Sequence, residues 1–215
     1  MILYIGSGNS AKQVLSMDLS PYKKVACLNN SWRLFSETKF DIWIHSGDFP
    51  RENYPKIKNY DLEISHAEYS LAIKKFCLEN EIMDKYPEHW VGYTMFFQGL
   101  YWLMRTFPKE EIHLLGFDHD YNDKKTSKWI DLGKPTPQNN FNRPKNITIE
   151  DWSNSVFGEF EKDFFYGHGT PDPLRLGEAE LVAKFHRAKD TSEKVGTRIF
   201  NISSLPSRIN CFDRS

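Results

Sequence analysis

A histidine between two glycines is a candidate for acid–base chemistry in this sequence. His168 follows Gly167 and precedes Gly169, so its neighbours give the imidazole little side-chain cover. Imidazole titrates near neutral pH and is the commonest general base in enzymes, so His168 is a candidate acceptor for a substrate proton. A histidine without a catalytic role in a surface loop has the same local pattern, and both interpretations stay open on this stretch alone.

Two carboxylates one residue apart form a second chemical candidate. Asp118 and Asp120 flank His119, and this spacing can place oxygen ligands on a divalent cation beside the phosphates of a nucleotide. The pattern therefore predicts a metal site, and a helix cap or an ion-paired loop accounts for it equally well. The chain has no Gly-x-Ser-x-Gly, His-Glu-x-x-His or Cys-x-x-Cys motif.

The opening of the chain predicts a strand followed by a phosphate-binding turn. Residues 2–5 are an apolar run, and the residues that follow it are Gly6, Ser7, Gly8, Asn9 and Ser10. Glycines allow a close backbone approach to an anion, and Asn9 or Ser10 can cap a helix whose first amides face that anion. Because the third glycine of the dinucleotide-binding fingerprint is absent, a tight turn without a ligand is the alternative.

Short apolar strands that end in polar residues recur along the chain and alternate with helical patterns. Strands are predicted at residues 24–28, 41–45, 112–116 and 198–202, and helices at residues 11–15, 65–79, 94–107, 148–160 and 177–194. Residues 53–61 are predicted to be a connecting loop. The alternation predicts an α/β fold: a single Rossmann-like domain over residues 1–215, with a mostly parallel sheet, helices on both faces and a lid-like insertion at residues 122–147.

The polar residues after these strands are predicted to converge on one crevice, because ligands bind outside the carboxyl ends of parallel strands. Besides the opening loop they include Asn29, Asn30, His45, Ser46, Asp48, Asp118, Tyr121, Ser203 and Ser204. Among them, His45, Ser46 and Asp48 are predicted to contact the substrate. Ordinary caps and turns are the alternative, since the same residue types favour them anywhere. Their repetition at one predicted edge favours the crevice.

The composition sets limits on partners and location. The chain has 28 basic and 29 acidic residues, so its charge does not indicate binding to nucleic acid or to an anionic membrane. Three widely spaced cysteines fit neither a disulfide framework nor a zinc site, which favours a reducing cytoplasm. No apolar run reaches the length of a membrane span and no leader pattern is seen, so a cytoplasmic protein without a membrane segment is expected.

The order of these motifs resembles the bacterial metal-independent sialyltransferases, which have a single Rossmann-type, GT-A-like domain. The matching segments are the Gly-x-Gly-x-Ser opening at residues 6–10, a second strand ending in asparagine at residues 25–30, a Gly-x-Asp loop followed by tyrosine at Gly116, Asp118 and Tyr121, a Gly-His segment at residues 167–169, and a last strand with a serine-containing loop at residues 201–205. Together they extend over most of the chain.

The resemblance implies a glycosyltransferase that moves a sugar from a CMP-sugar to a hydroxyl of a glycan or another acceptor. His168 would be the general base, and Tyr121 would assist phosphate departure in place of a metal, so no cofactor is expected. The implied nucleotide contacts are the opening loop, Asn29, Asn30, Asp118, Ser203 and Ser204, and Thr94 and Gln98 lie near the position of the family's sugar contacts.

Two alternatives to this function remain. One is a metal-dependent transferase for nucleotide-diphosphate sugars that uses Asp118 and Asp120, including one that acts on modified bases in DNA. The other belongs to a different class: a non-catalytic nucleotide-binding module in which His168 has no chemical role.

Overall fold

The computed structural model describes residues 1–35, 37–47, 49, 51–82, 94–118, 178–205, 207 and 209–214. The predicted lid at residues 122–147 and the predicted helix at residues 148–160 lie outside the described residues. Three predicted site residues, Asp48, Tyr121 and His168, also lie outside them, as does Asp120.

The described residues contain a sheet of seven parallel strands, which confirms the predicted α/β, Rossmann-like fold. The strands are β1 (Ile2–Ile5), β2 (Lys24–Leu28), β3 (Phe40–Ile44), β4 (Tyr60–Ile64), β5 (Ile112–Leu115), β6 (Ile199–Asn201) and β7 (Asp213–Arg214). Their order in the sheet is β4-β3-β2-β1-β5-β6-β7. The chain runs outward from β1 to one edge and then returns to β5 on the other side of β1. The topological switch point therefore lies between β1 and β5.

Strand β1 lies in the middle of the sheet, and all four of its residues are buried. Burial on both faces explains why its sequence is a continuous apolar run rather than an alternating one. Ile5 is paired with Cys27 of β2 and with Leu115 of β5. Because these pairs bring the ends of three strands level, the loops that follow emerge side by side at the carboxyl edge of the sheet.

Helices cover both faces of the sheet. The α-helices are α1 (His66–Glu79), α2 (Met95–Thr106) and α3 (Glu178–Lys194), and residues of all three join the hydrophobic cluster on one face. Two 3-10 helices, Asn9–Ser16 and Asn29–Phe35, contribute to the cluster on the other face, and a short one spans Arg51–Asn53. In the described part of the chain, none of the helices is long and apolar enough to cross a bilayer.

The side chain of Tyr4 in β1 contacts the backbone of helix α2. The hydroxyl of the fully buried Tyr4 is 3.2 Å from the carbonyl oxygen of Met95 and 3.3 Å from that of Phe96. A Cβ atom at Gly99 would lie 2.9 Å from Cζ of this ring, so the close approach requires glycine. Burial raises the pKa of the Tyr4 hydroxyl well above its ordinary value, and the group stays a neutral donor. This contact holds the start of α2 at the carboxyl edge.

Three local predictions differ from the structure. The loop predicted at residues 53–61 overlaps β4, which was missed because its edge position exposes most of its side chains and removes the apolar run. The helical spacing of residues 65–79 predicts one apolar face that includes Leu71, Ile73 and Phe76; the last two are buried, but Leu71 is 80% exposed. The first helix forms as a 3-10 helix. Strand β7 has two residues, too few for a sequence pattern.

Candidate functional site

The loops after β1 and β5 pack directly against each other at the switch point. The amide of Gly6 donates to the Leu115 carbonyl oxygen and that of Gly8 to the Gly116 carbonyl oxygen, each at 2.8 Å. A Cβ atom at Gly6 would lie 2.5 Å from the Gly116 oxygen, and one at Gly8 would lie 2.6 Å from Oδ2 of Asp118. Both glycines of the opening motif are therefore required by the contact between these two loops.

Asp118 joins the ends of three strands. Its Oδ2 accepts a hydrogen bond of 2.8 Å from the Ser10 amide, and its Oδ1 accepts one from the Ser10 hydroxyl. The Ser203 hydroxyl, after β6, lies 3.2 Å from the same Oδ1. The Gly116 amide donates to Ser10 Oγ at 3.0 Å, and the Asp118 side chain is buried. The Asp118 carboxylate thus brings Ser10 and Ser203 together, and all three residues are predicted nucleotide contacts.

Gln13 connects the first 3-10 helix to the loop after β6, a role that the sequence did not reveal. Its Nε2 donates to the Ile202 carbonyl oxygen at 3.1 Å, and its Oε1 accepts from the Ser204 amide at 3.0 Å. The Ser203 amide donates to Oδ1 of Asn201 at 3.1 Å. The only local signal for Gln13 is its distance of a few residues from the glycine loop, whereas its partners lie almost 200 residues away.

Asn29 and Asn30 follow β2 and have different environments. Asn29 has a φ of 49°, a left-handed conformation that asparagine tolerates, and its Oδ1 accepts from the Ser46 amide at 3.2 Å. Its carbonyl oxygen accepts from Nε1 of Trp43 at 2.9 Å, which ties the ends of β2 and β3 together. The side chain of Asn30 is buried, and its Oδ1 has no hydrogen-bond partner among the described residues.

His45 lies at the end of β3 inside an aromatic cluster. It is 3% exposed, and its ring is stacked on that of Trp43 with a centroid distance of 4.3 Å. Its Nδ1 is 3.0 Å from the Ser46 carbonyl oxygen, and its Nε2 is 3.2 Å from Oε1 of Glu63. The imidazole is therefore held by packing, and an acceptor oxygen lies within hydrogen-bond distance of each ring nitrogen. The predicted substrate contact through His45 stays a prediction.

The N-terminus of α2 also lies at the carboxyl edge, since the Phe96 ring contacts that of Phe117 with a centroid distance of 4.8 Å. Thr94 precedes the helix without a side-chain cap. Buried polar atoms without a hydrogen-bond partner are rare in folded proteins. Within the described residues, such atoms on the segments that follow β2 and β3 and at the start of α2 are Asn30 Oδ1, Ser46 Oγ, Thr94 Oγ1 and Gln98 Oε1.

The remaining predicted residues are less constrained. Ser7 is half-buried in the opening loop, and Asn9 begins the first 3-10 helix. Among the residues that the structure describes, no group of three or more His, Cys, Asp or Glu side chains could hold a metal ion. The proposed pairing of Asp118 with Asp120 lies partly outside that range and stays a prediction.

The chain matches no protein-family model, no curated protein and no solved structure. The assignment of a function therefore depends on the motifs of the sequence and on the geometry of the carboxyl edge.

Proposed function

We propose that this protein is a glycosyltransferase that moves a sugar from a nucleotide-activated donor to an acceptor hydroxyl. The order of motifs, which resembles that of the sialyltransferases, supports a CMP-sugar as the donor. The fold supports the location of the site, because parallel α/β sheets bind their ligands at the switch point. Here the switch point is lined by Ser10, Asp118 and Ser203.

The observation that carries the proposal is a set of buried polar atoms that have no hydrogen-bond partner among the described residues, on the segments that follow β2 and β3 and at the start of α2. Asn30 Oδ1 and Gln98 Oε1 are buried acceptors without a donor among the described residues. An unsatisfied buried polar group costs about 1–3 kcal/mol, which a ligand with hydrogen-bond donors would recover. The hydroxyls of a ribose or a sugar and the exocyclic amine of cytosine are donors of this kind.

The chemical step requires a base and a means of stabilising the leaving group. In the proposed reaction His168 accepts the proton of the acceptor hydroxyl while that oxygen attacks the anomeric carbon and the nucleotide leaves. Negative charge then grows on the departing phosphate, where Tyr121 would donate a hydrogen bond. The N-terminus of α2, which lies at this edge, is a second source of positive electrostatic potential.

A panel of CMP-, UDP- and GDP-sugars tests the proposal. We expect one class of donor to release its nucleotide slowly with water and faster when an acceptor glycoside is present, with the sugar found on the acceptor. Calorimetry with the free nucleotides measures binding separately. Binding without any turnover would favour the non-catalytic module, and the absence of both from folded protein would contradict the proposal.

A matched pair of variants locates the ligand. Asn30→Ala removes the side chain whose Oδ1 has no partner among the described residues and should weaken nucleotide binding by at least tenfold. Asn59→Ala is the control, because Asn59 donates to the Phe35 and Thr38 carbonyl oxygens just before β4, at the other end of the sheet. This variant should lose stability and keep its nucleotide affinity. Equal affinities of the two variants would place the ligand elsewhere.

A further inference from the structure

Four backbone amides of the β1 loop, the residues 6–11 that follow β1, already have partners within the protein. Gly6 and Gly8 donate to carbonyl oxygens of the β5 strand and loop, Ala11 donates to the Gly8 carbonyl oxygen, and Ser10 donates to Asp118. A phosphate-binding loop has the opposite property, since its amides converge on the ligand and are free in its absence. These four amides are committed to the fold.

The Asp118 carboxylate lies at the centre of these hydrogen bonds in the β1 loop. It accepts hydrogen bonds from both the amide and the hydroxyl of Ser10, at the start of the 3-10 helix Asn9–Ser16. A helix start with a glycine beside it is where a phosphate would be expected. At Gly8, the space that a Cβ atom would need is taken by Oδ2 of Asp118 at 2.6 Å. The carboxylate thus lies where the opening motif predicts a phosphate.

We infer that Asp118 is a positioning residue whose carboxylate occupies the anion position of the β1 loop, holds three strand-end loops together and excludes phosphate from this loop. The part of a nucleotide that the loop contacts is then uncharged, and the phosphate binds elsewhere along the carboxyl edge. The exclusion of phosphate is independent of the proposed function, whereas the contact with the nucleoside rests on it.

The exclusion follows from charge and from hydrogen bonding together. A phosphate at the loop would lie beside a carboxylate that is 6% exposed, where water screens the repulsion poorly. It would also have to displace Asp118 from the Ser10 amide and hydroxyl and from the Ser203 hydroxyl. Displacing the carboxylate leaves a buried charge without its donors, which is unfavourable.

Asp118→Ala tests the inference, because it removes the carboxylate and leaves its hydrogen-bond donors, the Ser10 amide and the Ser10 and Ser203 hydroxyls, in place for an added anion. The probes are sodium formate and inorganic phosphate, and no nucleotide is needed. We expect the variant to melt several degrees below the wild type and to recover part of this loss, in a saturable way, as either anion is added. Asp41→Ala is the matched control. The Asp41 carboxylate also accepts a hydrogen bond from a backbone amide, that of Val25 at 2.8 Å, and one from Lys24, but it lies at the amino edge of the sheet.

Two further measurements keep the inference testable if Asp118→Ala does not fold. In the wild type, the amide resonances of Gly8 and Ser10 should not shift in a saturable way with inorganic phosphate. Asp118→Asn keeps the side-chain volume but replaces one carboxylate oxygen, which accepts a hydrogen bond, with an amide nitrogen that donates. This variant should therefore be less stable than the wild type, and it should gain no phosphate affinity because the side chain still fills the anion position.

Three results would overturn the inference: saturable phosphate shifts at Ser10 in the wild type, equal anion rescue of Asp118→Ala and Asp41→Ala, or full stability of Asp118→Asn. These outcomes are separate from the fate of the proposed function. A protein that binds no nucleotide would refute the proposed function and the nucleoside contact, and the inorganic-anion results would still decide whether Asp118 excludes phosphate.

Discussion

The contact between Gly99 and Tyr4 determines how closely helix α2 lies over β1. Tyr4 is fully buried, and its hydroxyl is within 3.3 Å of the carbonyl oxygens of Met95 and Phe96. A Cβ atom at Gly99 would lie 2.9 Å from Cζ of the ring and closer still to the hydroxyl oxygen, whereas ordinary van der Waals contact begins near 3.4 Å. Gly99→Ala therefore forces either the ring or the helix to move.

The expected cost has three parts. Overpacking of a buried contact costs about 1–3 kcal/mol, and a buried hydroxyl that loses its acceptors costs about 1–3 kcal/mol. Alanine is favoured over glycine inside a helix by about 0.8–1.0 kcal/mol, which offsets part of this cost. We therefore expect Gly99→Ala to lower the free energy of unfolding by about 1–5 kcal/mol.

A double-mutant cycle with Tyr4→Phe isolates the hydroxyl. Tyr4→Phe alone should cost about 0.5–1.5 kcal/mol, the usual worth of a neutral hydrogen bond. In its background Gly99→Ala meets only the ring carbon, so its cost should be smaller by at least about 1 kcal/mol. Urea denaturation followed by circular dichroism measures all four proteins. An equal cost of Gly99→Ala in both backgrounds, or a gain in stability from alanine, would refute the reasoning.

The remaining predictions concern the proposed base, the metal and the thiols. His168→Ala should lower turnover by about a hundredfold or more and change donor affinity little; near-normal steady-state turnover would remove this histidine from the mechanism. Turnover should persist in excess EDTA, and a loss that magnesium or manganese restores would favour the metal-dependent alternative. Burial raises the pKa of the Cys27 thiol and raises that of Cys211 to about 11, so both have less thiolate at pH 8 than a free cysteine. Both should react slowly with a thiol reagent until the protein unfolds, and rapid labelling of the native protein would contradict this expectation.

Local signals in the sequence were sufficient for several elements of the fold. The helix predicted at residues 94–107 is observed as Met95–Thr106, because Thr94 can begin a helix and the proline after Phe107 ends it. Strand β1 was predicted from its apolar run, since a central parallel strand is buried on both faces. Strand β4 was missed because an edge strand is buried on one side only and lacks that run.

The candidate site shows a sharper division between sequence and tertiary structure. The sequence by itself predicted that residues 6–10 form a glycine turn after a strand of a mostly parallel sheet, and the strand order then placed this turn at the switch point. It did not determine which group the glycines accommodate, because that group, Asp118, lies 108 residues from Ser10 along the chain. Only the pairing of β1 with β5 brings the two together, and a contact of this kind leaves no periodicity or spacing in the sequence.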